Sequence, residues 1–491
     1  MKKTLKKISL LLAVASLLTT MCFGFVSCKN KTKDQPQTST SNDVTEPVTE
    51  LNYKDQLPVA TYDGADINIY HISERKDQFV LDDENPDTTA FSQAVVKRNS
   101  FVEEKYDVFL NFTCESNPTG EVEKFISVCA QSDAYGYDIM IPDYWWGTEV
   151  QGAFVNLLDC KQLNLDNPYW VSGWNNSAIV NNRLYTAVSY LTMDPIGKSM
   201  VVYYNTKIAY DYLGQDNLHE TVMSGNWTLE TMREMMKMNT LEINNPDSMS
   251  FEDSWGLGYN LWGGRALLWG CGLSLAEYDE GKVTFKVREQ RNSTVFDAVY
   301  SFLNDYQYSY YKSNDKLDYH VAYDSDYELF INDRALFYIY EMDQASKISQ
   351  NMSNYGVLPT PKLNTEQKDY ITSLLGTVTM GIFKTSEDVD RAATILEALS
   401  IVSYEDVVSV YYDDMLKFRY QTDAKAAEML DFIRERISVD FLFVNEKSFE
   451  HVTNVPFDLI AAKDGNYEGV MMGKVTSLET ALEKFLEVYS Q

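Results

Sequence analysis

Residues 137–149 read YDIMIPDYWWGTE: a short apolar run, Ile139, Met140 and Ile141, then a proline, an aspartate and three large flat rings. The run reads as a buried strand, because a brief apolar stretch bounded by turn formers fits a strand covered on both faces. Working outward, INIYHI (67–72) and VFLNF (108–112) also read as strands. AFSQAVVKRNSFVEEKY (90–106) reads as a helix with Phe91, Ala94, Val95, Val102 and Tyr106 along one side, and EVEKFISVCAQS (121–132) as the next helix. This alternation predicts a parallel βαβ sheet. Ligands of such sheets gather outside the carboxyl ends of the strands, which puts Asp143, Tyr144 and Trp145 on the ligand-facing edge. Beyond them the spacing predicts a helix running through GAFVNLLD (152–159), with Trp146, Val150, Phe154 and Leu158 on a core stripe. Trp145 then falls beside Glu149, Gly152 and Asn156 on a polar face, so Trp146 reads as packing, and Tyr144 and Trp145 as ligand candidates.

With 491 residues, 45% of them apolar, the chain can bury the cores of two or three domains. Its formal charge is −30, and beyond residue 27 it becomes −34, from 38 basic against 72 acidic residues. Such a surface repels phosphate backbones, which argues against nucleic-acid binding. The amino terminus pairs MKKTLKK with the apolar ISLLLAVASLLTTMCFGFV and then Ser27 and Cys28. It resembles a bacterial lipoprotein signal, residues 1–27, after which Cys28 would be lipidated; Phe25 stands where such signals usually carry Leu. The alternative is an uncleaved membrane anchor. Either way the body lies outside the cytoplasmic membrane, and two acyl chains supply the firm anchoring that one cannot. Residues 28–56, rich in Thr, Ser, Asp and Pro, read as a flexible polar linker.

Catalytic and metal-binding motifs are missing. The four histidines, His71, His219, His320 and His451, lie more than 90 residues apart with no H-E-x-x-H, and the cysteines form no C-x-x-C, so neither a metal nor a cofactor is expected. SERK (73–76) matches S-x-x-K without the S-D-N and K-T-G that a penicillin-binding site needs. Once Cys22 and Cys28 are set aside, Cys114, Cys129, Cys160 and Cys271 allow three pairings, among which a Cys114–Cys129 disulfide competes with buried, inert thiols.

Further along, GKSMVVYYNTKIAYDYLG (197–214) reads as a strand leading into a helix, and GNWTLETMREMMKMNT as a helix starting near Asn226 or Thr228. DSWGLGYNLWGGRALLWGCGLS (253–274) is a second aromatic and glycine-rich patch, and DRALFYIYEMDQ (333–344) a strand ending in Tyr340, Glu341 and Asp343. TSLETALEKFLEVYS (476–490) reads as an amphipathic helix with a capping box from Thr476 to Glu479.

In this order, INIYHI, YDIMIPDYWW, NRLYTAVSY, SMVVYYNTKIAYDYLG, NWTLETMREM, NDRALFYIYEMDQ, NYGVLPTPK and TVTMGIFKTSEDVDRAATILEAL resemble the extracellular solute-binding protein family 1 of ABC transporters, the group that includes maltose-binding protein. The resemblance spans roughly residues 60–400; the last ninety carry none of its pieces. It implies an α/β, two-lobe, periplasmic-binding-protein-like type II fold with hinge strands crossing between the lobes. Lobe one would be 57–195 with 365–403, and lobe two 196–364 with 404–491. The crossings would fall near Thr192–Ser199, near Pro361–Thr372 and around 400–410. It further implies a monomer that hands its ligand to permease subunits in the membrane, and no enzymatic activity. By the same resemblance, Asp143 and Tyr144 fall at ligand contacts after the third strand, Lys198 at a polar contact seven places before Asn205, and Tyr340 and Glu341 near an aromatic that stacks on sugar, although no Trp stands there. Tyr259 and Trp262 are the candidates from the second patch, and Glu74 and Arg75, after the first strand, either bond hydroxyls or face solvent.

These residue types suit a sugar or oligosaccharide. Flat rings cover the C–H face of a pyranose, while charged side chains bond its hydroxyl rim. The main competitor is a secreted glycoside hydrolase, which needs two carboxylates at a fixed separation; Asp143, Glu341 and Asp343 are available for that. A lipid-anchored adhesin is a third reading, and it would need neither hinge nor cleft.

Overall fold

The computed structural model describes residues 52–81, 89–114, 136–145, 151–214, 217–240, 251–279, 282–305, 307–311, 325–414 and 424–490. Strands β1 (Ala65–His71), β2 (Val108–Thr113) and β3 (Ile139–Ile141) pair in parallel, with β1 in the middle. Ile67, Ile69, Ile139, Met140 and Ile141 have no solvent exposure, as expected for central strands covered on both sides. The helix Ala90–Tyr106 occupies the predicted span and buries the predicted side, Phe91, Ala94, Val95, Val102 and Tyr106. Thr89 caps it by accepting from the Ser92 amide, and Asp107 ends it in the left-handed region.

A second sheet begins with β4 (Met200–Asn205) and β5 (Trp255–Tyr259). A separate hairpin, β6 (Ala276–Asp279) and β7 (Lys282–Phe285), follows. The sheet then gains β8 (Ser309–Tyr311), β9 (Ala335–Glu341) and β10 (Tyr355–Leu358) in the order β10-β4-β9-β5-β8. Strand β4 is antiparallel to both neighbours, and β5 is parallel to β8 and β9. The last strand, β11 (Gly381–Ile382), joins the first sheet antiparallel to β3. The chain therefore passes from one sheet to the other between β3 and β4 and returns between β10 and β11. The two connections touch: Ser199 bridges Leu374, and the Met200 amide donates to the Ser373 carbonyl at 2.9 Å.

Two expectations change. Residues 151–159 form two short 3-10 turns, Gln151–Ala153 and Leu157–Asp159, instead of a continuous helix, because Phe154 forms an antiparallel bridge to Phe383 and the Asn156 side chain caps the second turn. Trp146 and the 121–132 segment lie outside the described residues, as do Cys28 and Cys129; Cys160 and Cys271 are free thiols. Thr476 is an interior residue of the helix Tyr467–Val488, which starts nine residues earlier under an Asn466 cap. The apolar GVMM turn that precedes Thr476 propagates the helix, and an isolated capping box does not interrupt it. Around 400–410 the backbone is continuous, Val389–Val402 running through a π turn, Ser403–Val407, into Val408–Asp414.

The carboxyl-terminal segment touches the helix Ser172–Ala178, the β6 hairpin and the helix Leu261–Gly270. The Val439 amide donates to the Gly173 carbonyl at 3.1 Å, and a Cβ on Gly173 would stand 1.7 Å from the Ile437 carbonyl oxygen. The Asp440 side chain caps the turn Phe441–Val444 and also accepts from the Leu275 and Ala276 amides at 2.8 and 3.2 Å. Phe457 lies against Gly264, where a Cβ would come within 1.9 Å of the ring.

Candidate functional site

The loop after β3 is held by backbone pairing to the returning chain. Asp143 bridges Val378, and the Tyr144 amide donates to the Thr377 carbonyl at 3.0 Å. Beside it lies Asp194, buried in the connection between the sheets. Asp194 accepts from Arg75 Nε at 2.7 Å and from the Val378 amide at 3.0 Å. Burial pushes the Asp143 carboxyl up to about 6, opposed by its bond from the Trp145 amide; the Asp194 charge raises it further, and Arg75 lowers it. Glu74, mostly exposed, lies 3.8 Å from the Arg75 guanidinium.

From the second sheet, Lys198 Nζ donates to Glu341 at 2.8 Å and to Asp343 at 2.7 Å. Burial raises the Glu341 carboxyl, while Lys198 and, more weakly, Arg75 lower it. Arg75 thus feels Asp143 on one side and Glu341 on the other, and the two groups of charges form one cluster drawn from both sheets. Tyr340 is half-buried, with its ring nearly parallel to that of Tyr338 at 5.8 Å.

The rings are distributed differently. Tyr144 is 4% exposed: Phe443 stacks on it at 5.4 Å, and Trp174 meets it edge-on. Its ring faces are occupied by packing, so what it can offer a guest is the hydroxyl. Trp145 is half-buried, with the His451 ring 5.1 Å away. Tyr259 is packed inside the second sheet, against Tyr311, with its hydroxyl donating to the Leu303 carbonyl. Trp262 is half-buried at the start of the helix Leu261–Gly270, and the Arg265 guanidinium lies 5.1 Å from its ring.

The structure therefore brings together Glu74, Arg75, Asp143, Lys198 and Glu341, and joins Tyr144 and Trp145 to a wall made by the carboxyl-terminal segment. Sequence reasoning missed Asp194, Phe443, Glu446 and His451. Asp194 precedes a proline in an unremarkable loop, and the other three lie in the ninety residues that resemble nothing. Glu446 is buried, accepting from His451 Nδ1 at 3.0 Å and Thr453 Oγ1 at 2.9 Å.

No family model and no curated protein matches the chain. Solved structures do. A cyclo/maltodextrin-binding protein complexed with maltotetraose superposes with a TM-score of 0.56 at 12% identity, over 85% of this chain and 97% of its own. A maltose-binding periplasmic protein from Listeria monocytogenes in complex with maltose gives 0.54 at 14% identity, over 86% and 99%. An ABC substrate-binding protein from the same organism, in complex with cycloalternan, gives 0.53 at 12%, over 86% and 100%. The fold is that of the two-domain periplasmic binding proteins, as the sequence resemblance implied.

Proposed function

We propose that the chain is the extracellular substrate-binding component of an ABC importer, capturing a sugar or oligosaccharide in the cleft between two lobes and delivering it to the membrane permease. One observation carries the reading: Arg75 and Asp143 beside the first sheet and Lys198 and Glu341 beside the second belong to one charge cluster, next to the paired connections between the sheets. Groups contributed from two sides of a bendable connection are what a receptor needs to close on a guest. Binding of maltose, maltotetraose and cycloalternan by proteins of the same fold supports a carbohydrate guest. In this reading residues 1–27 are removed, Cys28 carries the lipid, 28–56 is the tether, and the protein works as a monomer at the outer face of the membrane. No helix among the described residues is long and apolar enough to cross a bilayer.

Binding is proposed without turnover. Lys198 holds Glu341 and Asp343 in one ion-paired group. A thermal-shift screen against a glycan panel, followed by prolonged incubation with the best labelled oligosaccharide, tests both halves. A raised melting temperature with the ligand recovered whole is expected. Shortened products would establish a hydrolase, and no shift with any glycan would remove the receptor reading.

A further inference from the structure

We propose that Arg265 is an anion anchor in this cleft and that the guest carries a carboxylate, as a uronic acid unit whose ring lies against Trp262. The proposal rests on the receptor reading and narrows it to a substrate class.

The buried and half-buried cations near the connections between the sheets differ in how they are satisfied; Lys362, in the returning connection, lies over the Tyr370 ring. Arg75 has Asp194, and Lys198 has Glu341 and Asp343. Arg98 has no carboxylate but places its donors on the Leu191 and Gln78 carbonyls, Ser403 Oγ and Asn99 Oδ1. Arg265 is 7% exposed; its Nε has no partner, and among the described residues no carboxylate stands within ion-pair distance of its guanidinium. Its strongest electrostatic neighbour, Glu446, already accepts from His451 and Thr453. Burial lowers the proton affinity of Arg265, opposed by the nearby Glu446 and Asp458 charges. A second buried polar group, the Tyr144 hydroxyl, lies near enough for the two to influence each other's ionisation.

Placement explains how such a group meets a ligand. Trp262 and Arg265 are three residues apart on the helix Leu261–Gly270, so their side chains share a face. A half-buried indole beside a guanidinium is a plate for the C–H side of a sugar with a two-pronged donor at its edge. The guanidinium fork matches a carboxylate in geometry and charge, and binding there replaces the missing counter-ion. A neutral hydroxyl supplies an acceptor but no charge. Tyr144 approaches from the loop after β3, so a guest held by Arg265 and Tyr144 touches groups from both sides.

The test is calorimetric titration of the full-length chain with trigalacturonate and with its neutral counterpart, galactotriose, repeated for Arg265→Gln and Arg265→Lys. The wild type is expected to bind the uronate at least tenfold more tightly, with affinity falling as salt rises. Arg265→Gln should lose at least tenfold for the uronate and clearly less for the neutral sugar, so that the preference collapses, while Arg265→Lys, which keeps the charge, should retain part of the preference; circular dichroism verifies folding of each. Equal or tighter binding of the neutral sugar overturns this proposal and leaves the receptor reading standing. Uronate binding that survives Arg265→Gln also overturns it. Binding of neither sugar, together with no response across the wider glycan panel, overturns both readings.

Discussion

At the scale of single residues, Asp143 and Trp145 make separable predictions. Asp143 is raised from an ordinary value of 3.8 to about 6, chiefly by burial. A carboxyl whose folded-state pKa is raised keeps its proton longer in the native state, so this group's contribution to stability falls as pH rises from about 4 to about 6 and stays low above that. Two pH units correspond to about 3 kcal/mol at most. Asp143→Asn, which can still accept from the Trp145 amide, is expected to be the more stable form at pH 7.5, with the gap closing at pH 4, by urea denaturation at both. Lower stability of the variant at pH 7.5 would show that the carboxylate's attractions to Arg75 outweigh its burial. For Trp145, covering half the indole, about 100 Å², is worth about 2.5 kcal/mol at ~25 cal/mol/Å². Trp145→Ala should weaken the ligand by nearly two orders of magnitude before ordering costs, with melting close to wild type. Unchanged affinity in a folded variant would remove Trp145 from the site. Both residues were legible as candidates because an aspartate and rings after a buried strand lie where such sheets bind. Arg265 was legible as a cation able to seat an acidic sugar, but nothing in GGRALLWG says that this charge will lack a carboxylate partner.

At the scale of elements, the segment from Ile437 to Thr453 matters most. It has no regular pattern longer than a turn, yet it supplies Phe443 to Tyr144 and His451 to Trp145. Its docking depends on Gly173, where a side chain would strike the Ile437 carbonyl oxygen. Gly173→Ala is expected to loosen the segment: amide exchange at Val439, which donates to Gly173, should speed up at least tenfold while exchange in β1 and β4 stays slow. Unchanged protection at Val439 would mean that the backbone shifts to admit the methyl group at little cost. The regular elements were legible for the opposite reason. The helix Ala90–Tyr106 and the strand β9 announce themselves by periodicity and length, and tertiary packing only confirms them. At 151–159 an apparent four-residue stripe was overridden because Phe154 gains a bridge to Phe383, far away in the chain.

At the scale of the whole molecule, the arrangement predicts closure. The two sheets are joined by the paired Ser199 and Leu374 stretches, with charged groups contributed on either side. If a guest draws the lobes together, small-angle scattering with a saturating ligand from the glycan panel should show a smaller radius of gyration than without it. An unchanged radius with proven binding would mean that the described state is already closed or that closure is not part of capture. The sequence by itself determined the alternation of strands and helices, the acidic composition and the ordered likeness to one fold. These follow from local pattern and composition, which short stretches of chain carry on their own. Only the tertiary structure decided that Tyr144 offers a hydroxyl instead of a ring face, that Asp194 ties Arg75 to the returning chain, and that the segment from Ile437 to Thr453 packs against Tyr144 and Trp145. Each of those depends on which distant group fills the space beside it, and burial and pairing over hundreds of residues leave no local mark in the sequence.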